Sequence, residues 1–148
     1  MQTTPLNVPD GFQVMPPFGP FHELVGPVYY KQTQAGFTIG LWAEEKHRNR
    51  GSIVHGGMIA MLADTAFTWA GKHSRNPPIS IVTTNLSINM IGAAKPGDWL
   101  EASVDVVRSG RRVVFLNCFI WANQRRIAQA MAQFQVIEPA LDSPPTTS

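Results

Sequence analysis

Only one cysteine, Cys118, stands among the 148 residues, so no intrachain disulfide can form. That fits a reducing compartment, and a cytoplasmic protein is expected. Charge is sparse as well. Acidic and basic residues make up 15% of the chain against 44% hydrophobic ones, which is a globular rather than a disordered composition. The net charge is only +2, with no Lys/Arg-rich run of five or more. This leaves no electrostatic footprint for nucleic acid, though it suits a small anionic ligand. No apolar run approaches the roughly 18 residues of a membrane-spanning helix. The start "MQTTPLNVPDGFQVM" has neither a basic opening nor a continuous apolar stretch, so no secretory signal is expected. His47 and His55 have no cysteine or acid cluster at ligand spacing, so no metal is expected. The fragment "AGKH" at 70–73 is not a phosphate loop, because Ala66 stands where a glycine is needed.

What is present reads as one domain with loose ends. Residues 1–20, rich in Pro and Gly, read as an arm on the surface. Residues 21–138 form the body, and 139–148 a disordered tail. "FHELVG" predicts a short helix. "VYYKQTQAGFTIGLWAEE" predicts two strands with a turn near Ala35-Gly36. The one long helix runs from near Gly56 to about Lys72. It is apolar around nearly its whole circumference and should be buried. Four strands follow, expected as a meander. Their turns are Lys95-Pro96-Gly97-Asp98, Ser109-Gly110 and Asn123-Gln124. In "WLEASVDVVR", Leu100, Ala102, Val104 and Val106 share one face. Ala128, Ala130 and Ala132 line one face of the last strand, small enough to let a helix lie close. The architecture expected is α+β, with one buried helix against a curved antiparallel sheet.

The stretch "HRNRGSIVHGGMIAMLADTAF" carries the functional signal. An apolar helix opens with His-Gly-Gly and holds one carboxylate, Asp64, in its middle. An isolated buried charge costs several kcal/mol unless paired. Asp64 is therefore an exposed helix acid, an arginine's partner, or a group in use. Gly56 and Gly57 lie at a helix start, where free N–H groups and the positive end of the dipole meet. Without a side chain, glycine lets a carbonyl approach that backbone. Asn49 and Thr83 read equally well as a turn residue and a plain strand residue.

Asn49, Gly51, His55, Gly56, Gly57 and an acid eight residues past the first of those glycines form an ordered set. With the element order and "IVTTNLSINMIGAAKPGD" and "VVRSGRRVVF" downstream, the chain resembles the hotdog-fold acyl-CoA thioesterases, particularly the group like the phenylacetate-pathway thioesterase. The resemblance covers roughly residues 20–138. It implies a curved antiparallel sheet wrapped around a central helix, and hydrolysis of an acyl-CoA thioester to free acid and CoA. It assigns Asp64, Gly56, Asn49 and Thr83 to catalysis. His55, Gly57 and Gly110 fall on the substrate side; Arg108, Arg111 and Arg112, flanking the Ser109-Gly110 turn, read either as a solvated charged hairpin or as substrate-side contacts to CoA phosphates, which arginine forks suit. CoA enters only as part of the substrate, and no other cofactor is implied. "MIGAA" stands where many relatives carry a proline, and Asn85 where an acid is often seen.

The chemistry can be built from the residues too. Gly56 N–H would polarise the carbonyl, an interaction worth roughly 3 kcal/mol. Asp64 would act as general base on a water or as nucleophile. At 1.5 Å per residue, however, it lies about 12 Å along the helix from Gly56. Two antiparallel helices in a two-fold dimer bring each Gly56 to the other subunit's Asp64. A dimer is thus expected, and the resemblance extends this to a dimer of dimers. Two other classes stay open: a non-catalytic acyl-CoA-binding module and a hotdog hydratase or dehydratase.

Overall fold

A computed structural model describes residues 7–137. The proposed tail at 139–148 and the first six residues of the arm lie outside that range. In chain order the elements are β1 (Gln13–Val14), α1 (Pro20–Val25), β2 (Tyr29–Thr33), β3 (Gly36–Trp42), a 3-10 turn (Glu45–His47), α2 (Gly56–Lys72), β4 (Ser80–Met90), β5 (Trp99–Ser109), β6 (Val113–Ala122) and β7 (Arg125–Ile137). The seven strands form one antiparallel sheet in the order β1-β2-β3-β5-β6-β7-β4.

α2 lies against β3 to β7 and forms the centre of the core. Leu62, Ala63, Ala66 and Phe67 are fully enclosed, and Phe67 meets Phe134 edge-on at 6.4 Å. The sheet faces α2 with Ile39, Leu41, Leu100, Ala102, Leu116, Ile120 and the alanines of β7. Period-two alternation along β5, β6 and β7 supplies that face, as expected of strands buried on one side. One stripe of α2 is left only half covered: Ala60, Met61, Asp64 and Thr68, which follow the helical i, i+4 spacing.

The four-strand meander expected after α2 does not form. Only β5, β6 and β7 make one. β4 bypasses β5 and pairs with β7, with Ser80 opposite Ile137 and Met90 opposite Ala128. The cause is apolar matching. Beside β7, Ile81, Leu86 and Ile88 lie opposite Val136, Ala132 and Ala130, and the small alanines leave space for α2. The chain leaving β4 is held there by Ile91 and Gly92 N–H, both donating to Ile127 C=O. β5 then takes the place beside β3. β4 therefore forms one edge of the sheet, eleven residues long.

The arm does not simply lie on the surface. Its residues 13 and 14 pair with Tyr30 and Tyr29, and Met15 is buried. The β6–β7 hairpin turns through Asn123 and Gln124, both in the left-handed region at φ 46° and 72°. That is the two-residue geometry whose twist suits paired strands. Asn123 also takes the Trp99 N–H on its Oδ1 and donates from Nδ2 to Asp98, both at 2.8 Å. Gly40 has to be glycine: a Cβ there would lie 2.2 Å from the Trp99 ring.

Candidate active site

The site starts where the chain enters α2. His55, the N-cap, accepts the Gly57 N–H on Nδ1 at 2.8 Å. Its carbonyl takes the Met58 and Ile59 N–H groups. Gly56 N–H is thereby left without a partner among the described residues, at the positive end of a 17-residue helix. There is room beside its Cα, where a Cβ would meet only the Met90 methyl at 3.7 Å.

A buried histidine fixes this entry. His47, 3% exposed, accepts the Glu44 N–H on Nδ1 at 2.9 Å. Nε2 must then carry the proton, which it donates to Val25 C=O at 2.6 Å. The His47 carbonyl in turn accepts the His55 N–H at 2.8 Å. Burial holds the His47 imidazole below its usual range, and Lys46 lowers it further; the Val25 carbonyl and Glu44 oppose this. Lys46 reaches back to Gly26 C=O, so the end of α1 is tied to the same turn. Asn49 closes the loop before α2: its N–H donates to Ile53 C=O at 2.8 Å, and its Oδ1 faces Ile53 N–H at 3.4 Å. The Asn49 Nδ2 makes no hydrogen bond among the described residues.

Asp64 is half-buried on the exposed stripe of α2. Thr83 donates from Oγ1 to its Oδ1 at 2.7 Å, a short charge-assisted bond. A break in the β4–β7 register at Thr83/Asn85 flanks this threonine. Oδ2 accepts nothing among the described residues, so one side of the carboxylate is free to face a water or a substrate carbon. Next along α2, Thr65 is buried, and its Oγ1 lies 2.8 Å from His22 Nε2. Burial depresses His22, with the Phe18 carbonyl and the Asp64 charge acting in the opposite sense.

The sequence-predicted residues fall into three groups. Gly56, Gly57, His55 and Asn49 gather at the start of α2. Asp64 and Thr83 meet about two helical turns on, roughly 12 Å along the axis. Arg108, Arg111 and Arg112 are exposed around the β5–β6 turn, at the opposite end of α2 from Gly56. That turn is fastened by Arg75, which donates to Ser109 Oγ at 3.0 Å and to Gly110 C=O, while Ser74 and Ser109 hydroxyls meet at 2.8 Å. His22, His47, Thr65 and Arg75 escape sequence reasoning. A lone histidine or arginine in a loop carries no spacing that marks its partner. Among the described residues no three His, Cys, Asp or Glu side chains gather as metal ligands would.

The thioesterase superfamily pattern matches residues 51–129, from the loop before α2 into β7. A Pseudomonas aeruginosa protein, named "Putative esterase PA0474", is 36% identical over 132 residues, covering 88% of this chain and 98% of that one. The chain belongs to the thioesterase superfamily. Its fold is the hotdog fold, as in the Escherichia coli PaaI protein of the phenylacetic acid degradation operon. That structure superposes with a TM-score of 0.73 at 20% identity over 82% of this chain and 86% of that one. The Bacillus halodurans protein BH2602, whose structure contains CoA, superposes at 0.63 with 24% identity, over 68% and 66%. Membership makes thioester hydrolysis the general chemistry. Among the described residues no helix is long and apolar enough to cross a membrane.

Proposed function

We propose that this thioesterase hydrolyses acyl-CoA at two equivalent sites, each shared between the subunits of a dimer. The observation that carries the reading is the separation of the two reactive features. Asp64 is aimed by Thr83 and has a free oxygen, while Gly56 N–H is free about 12 Å away on the same helix. The half-covered stripe through Ala60, Met61, Asp64 and Thr68, beside the open edge of β4, supports a second copy of the chain there. Antiparallel helices meeting at that stripe place each Gly56 opposite the partner's Asp64.

In such a site the thioester carbonyl oxygen accepts the Gly56 N–H, and negative charge developing on it is stabilised by the helix start. Asp64 takes a proton from the attacking water, or itself attacks to give an anhydride that water then opens. CoA thiolate leaves and is protonated. Asn49 Nδ2, free at the helix entry, orients the thioester. His55 and Gly57 shape the turn that presents the Gly56 N–H. With the same pairing, the arginine turn of one subunit flanks the other's Asn49 loop, where Arg108, Arg111 and Arg112 are placed to meet CoA phosphates. CoA bound in the Bacillus halodurans neighbour is in keeping with this substrate class. The reaction needs no cofactor beyond the substrate. A lone cysteine suits the cytoplasm, and two dimers pairing into a tetramer is the assembly the family resemblance favours.

Thiol release from a panel of acyl-CoAs tests the reading. Asp64→Asn should lower hydrolysis at least about 100-fold with the fold intact, the scale of a general base. Acyl-CoA binding with no turnover by the unaltered protein would make it a binding module instead, and near-normal activity of Asp64→Asn would remove the catalytic assignment.

A further inference from the structure

A cleft of about 420 Å³ opens between the N-terminal arm and α1. Val14, Met15, Pro17, Phe18 and Val28 give it apolar walls, and its volume falls within the range of small-molecule sites. His22 joins the cleft to α2. Its ring lines the cleft, packs edge-on against Phe18 with centroids 4.9 Å apart, and meets Thr65 Oγ1 at 2.8 Å. Thr65 is the residue after Asp64. The other large clefts lack this link. One of about 590 Å³ is lined by Trp99, Glu101, Ser103 and Trp121, on the sheet face turned away from α2. Another, of about 480 Å³, lies around the arginine turn at the far end of α2.

We infer that the cleft between the arm and α1 receives the acyl group of the substrate, with His22 as the specificity-determining residue at its inner wall. This rests on the acyl-CoA hydrolase reading. An acyl chain leaving the carbonyl needs apolar surface beside α2, and this cleft reaches α2 through the His22–Thr65 contact, one position along the helix from Asp64. Its one carboxylate, Glu23, carries charge of the sign that repels a terminal carboxylate. The substrate class is therefore CoA thioesters of uncharged, apolar monocarboxylic acids of medium length, preferred over acetyl-CoA and over dicarboxylic acyl-CoAs.

The test compares kcat/KM for acetyl-, hexanoyl-, octanoyl- and adipoyl-CoA in the unaltered protein and in Val14→Trp and Pro17→Trp, which fill the cleft. The unaltered protein should prefer hexanoyl- over adipoyl-CoA by at least tenfold. Filling should lower the octanoyl-to-acetyl ratio at least tenfold. His22→Phe should shift the same ratio, mainly through KM. Independently of any variant, octanoate bound to the unaltered protein should show NMR contacts to the Met15 methyl. The two readings fail separately. Absence of hydrolysis with the octanoate–Met15 contact present refutes the hydrolase reading. Hydrolysis with an unmoved chain-length ratio in folded variants, or with no Met15 contact, overturns the cleft assignment.

Discussion

Replacing Gly56 with proline would remove the N–H donor from the proposed reaction while keeping the helix start. Gly56 is the first residue of α2, the helical position where proline is best tolerated, because its N–H has no intrahelical partner. The preceding His55 sits at φ −59° and ψ 133°, the extended region a residue before proline prefers. A Cβ at 56 meets only Met90, at ordinary contact distance. Stability should therefore change little, while the oxyanion donor vanishes. Losing one such donor typically costs about 2.7–4 kcal/mol, a fall in kcat of about 100- to 1,000-fold. Gly56→Ala is the control for the added Cβ: it keeps the N–H, where proline places its Cδ instead. The assay is thiol release from acyl-CoA, with thermal unfolding run on each variant. A folded Gly56→Pro protein within about fivefold of Gly56→Ala would refute the donor assignment. The same variant tests sharing between subunits. Mixed with Asp64→Asn, it should form heterodimers containing one intact site, verified by native mass spectrometry. No recovery of activity in those heterodimers would refute the shared site.

Other expectations follow from the same geometry. Thr83→Val removes the 2.7 Å bond that aims Asp64; hydrogen bonds to charged groups are worth about 1.5–3 kcal/mol, so kcat should fall about 10- to 100-fold, with Thr83→Ser recovering most of it. Retention of more than half the activity by Thr83→Val would show that the bond does not orient the acid. His47 is held below its usual range, so the unfolded chain binds its proton first as pH falls. Its contribution to stability is complete above about pH 6.5 and is lost as pH drops from there toward the lowered folded value. Denaturant titrations at pH 7.5 and 5.5 should show a smaller loss in His47→Gln than in the unaltered protein; equal losses would count against the buried neutral ring. Cys118 is 2% exposed and burial pushes its thiol up to about 12. Native protein should thus react with a thiol reagent at pH 8 at least about 1,000-fold more slowly than unfolded protein, and fast native labelling would contradict that burial.

Legibility in the sequence followed the range of each interaction. α2 starts at Gly56 and ends at Lys72 because its apolar periodicity and its caps are local, and they were read where they stand. The turns at Asp98, Ser109 and Asn123 are local as well. Which strand β4 would choose was not legible: alternation tells a strand which face to bury, not which neighbour to take. Ala128, Ala130 and Ala132 hinted at close packing on α2, but their match to Ile88 and Leu86 appears only with the register. The site divides in the same way. Gly56 and Asp64 stand out in the sequence because both lie on one local helix. Family likeness marks Thr83 as a residue of the site, but its bond to Asp64, across 19 positions, appears only in the structure. His47 and His22 meet partners 22 and 43 residues away, Val25 and Thr65, and nothing in a single sequence marks those pairs.

β4's position at the edge bears on the order in which this chain can acquire activity. α2, carrying Gly56 and Asp64, can form early from local contacts. Thr83, which donates to the acid, lies on a strand whose neighbour in the sheet, among the described residues, is β7, and β7 comes after two further strands. Pairing between segments so distant in the chain closes large loops and is slow. During synthesis, β4 must wait for β7 to leave the ribosome before its ladder can close. Until then the apolar inner face of β4 has no neighbouring strand, and Asp64 has no fixed aim. Chains interrupted before Arg125 would carry every residue of the proposed catalytic set and still lack the strand that β4 pairs with.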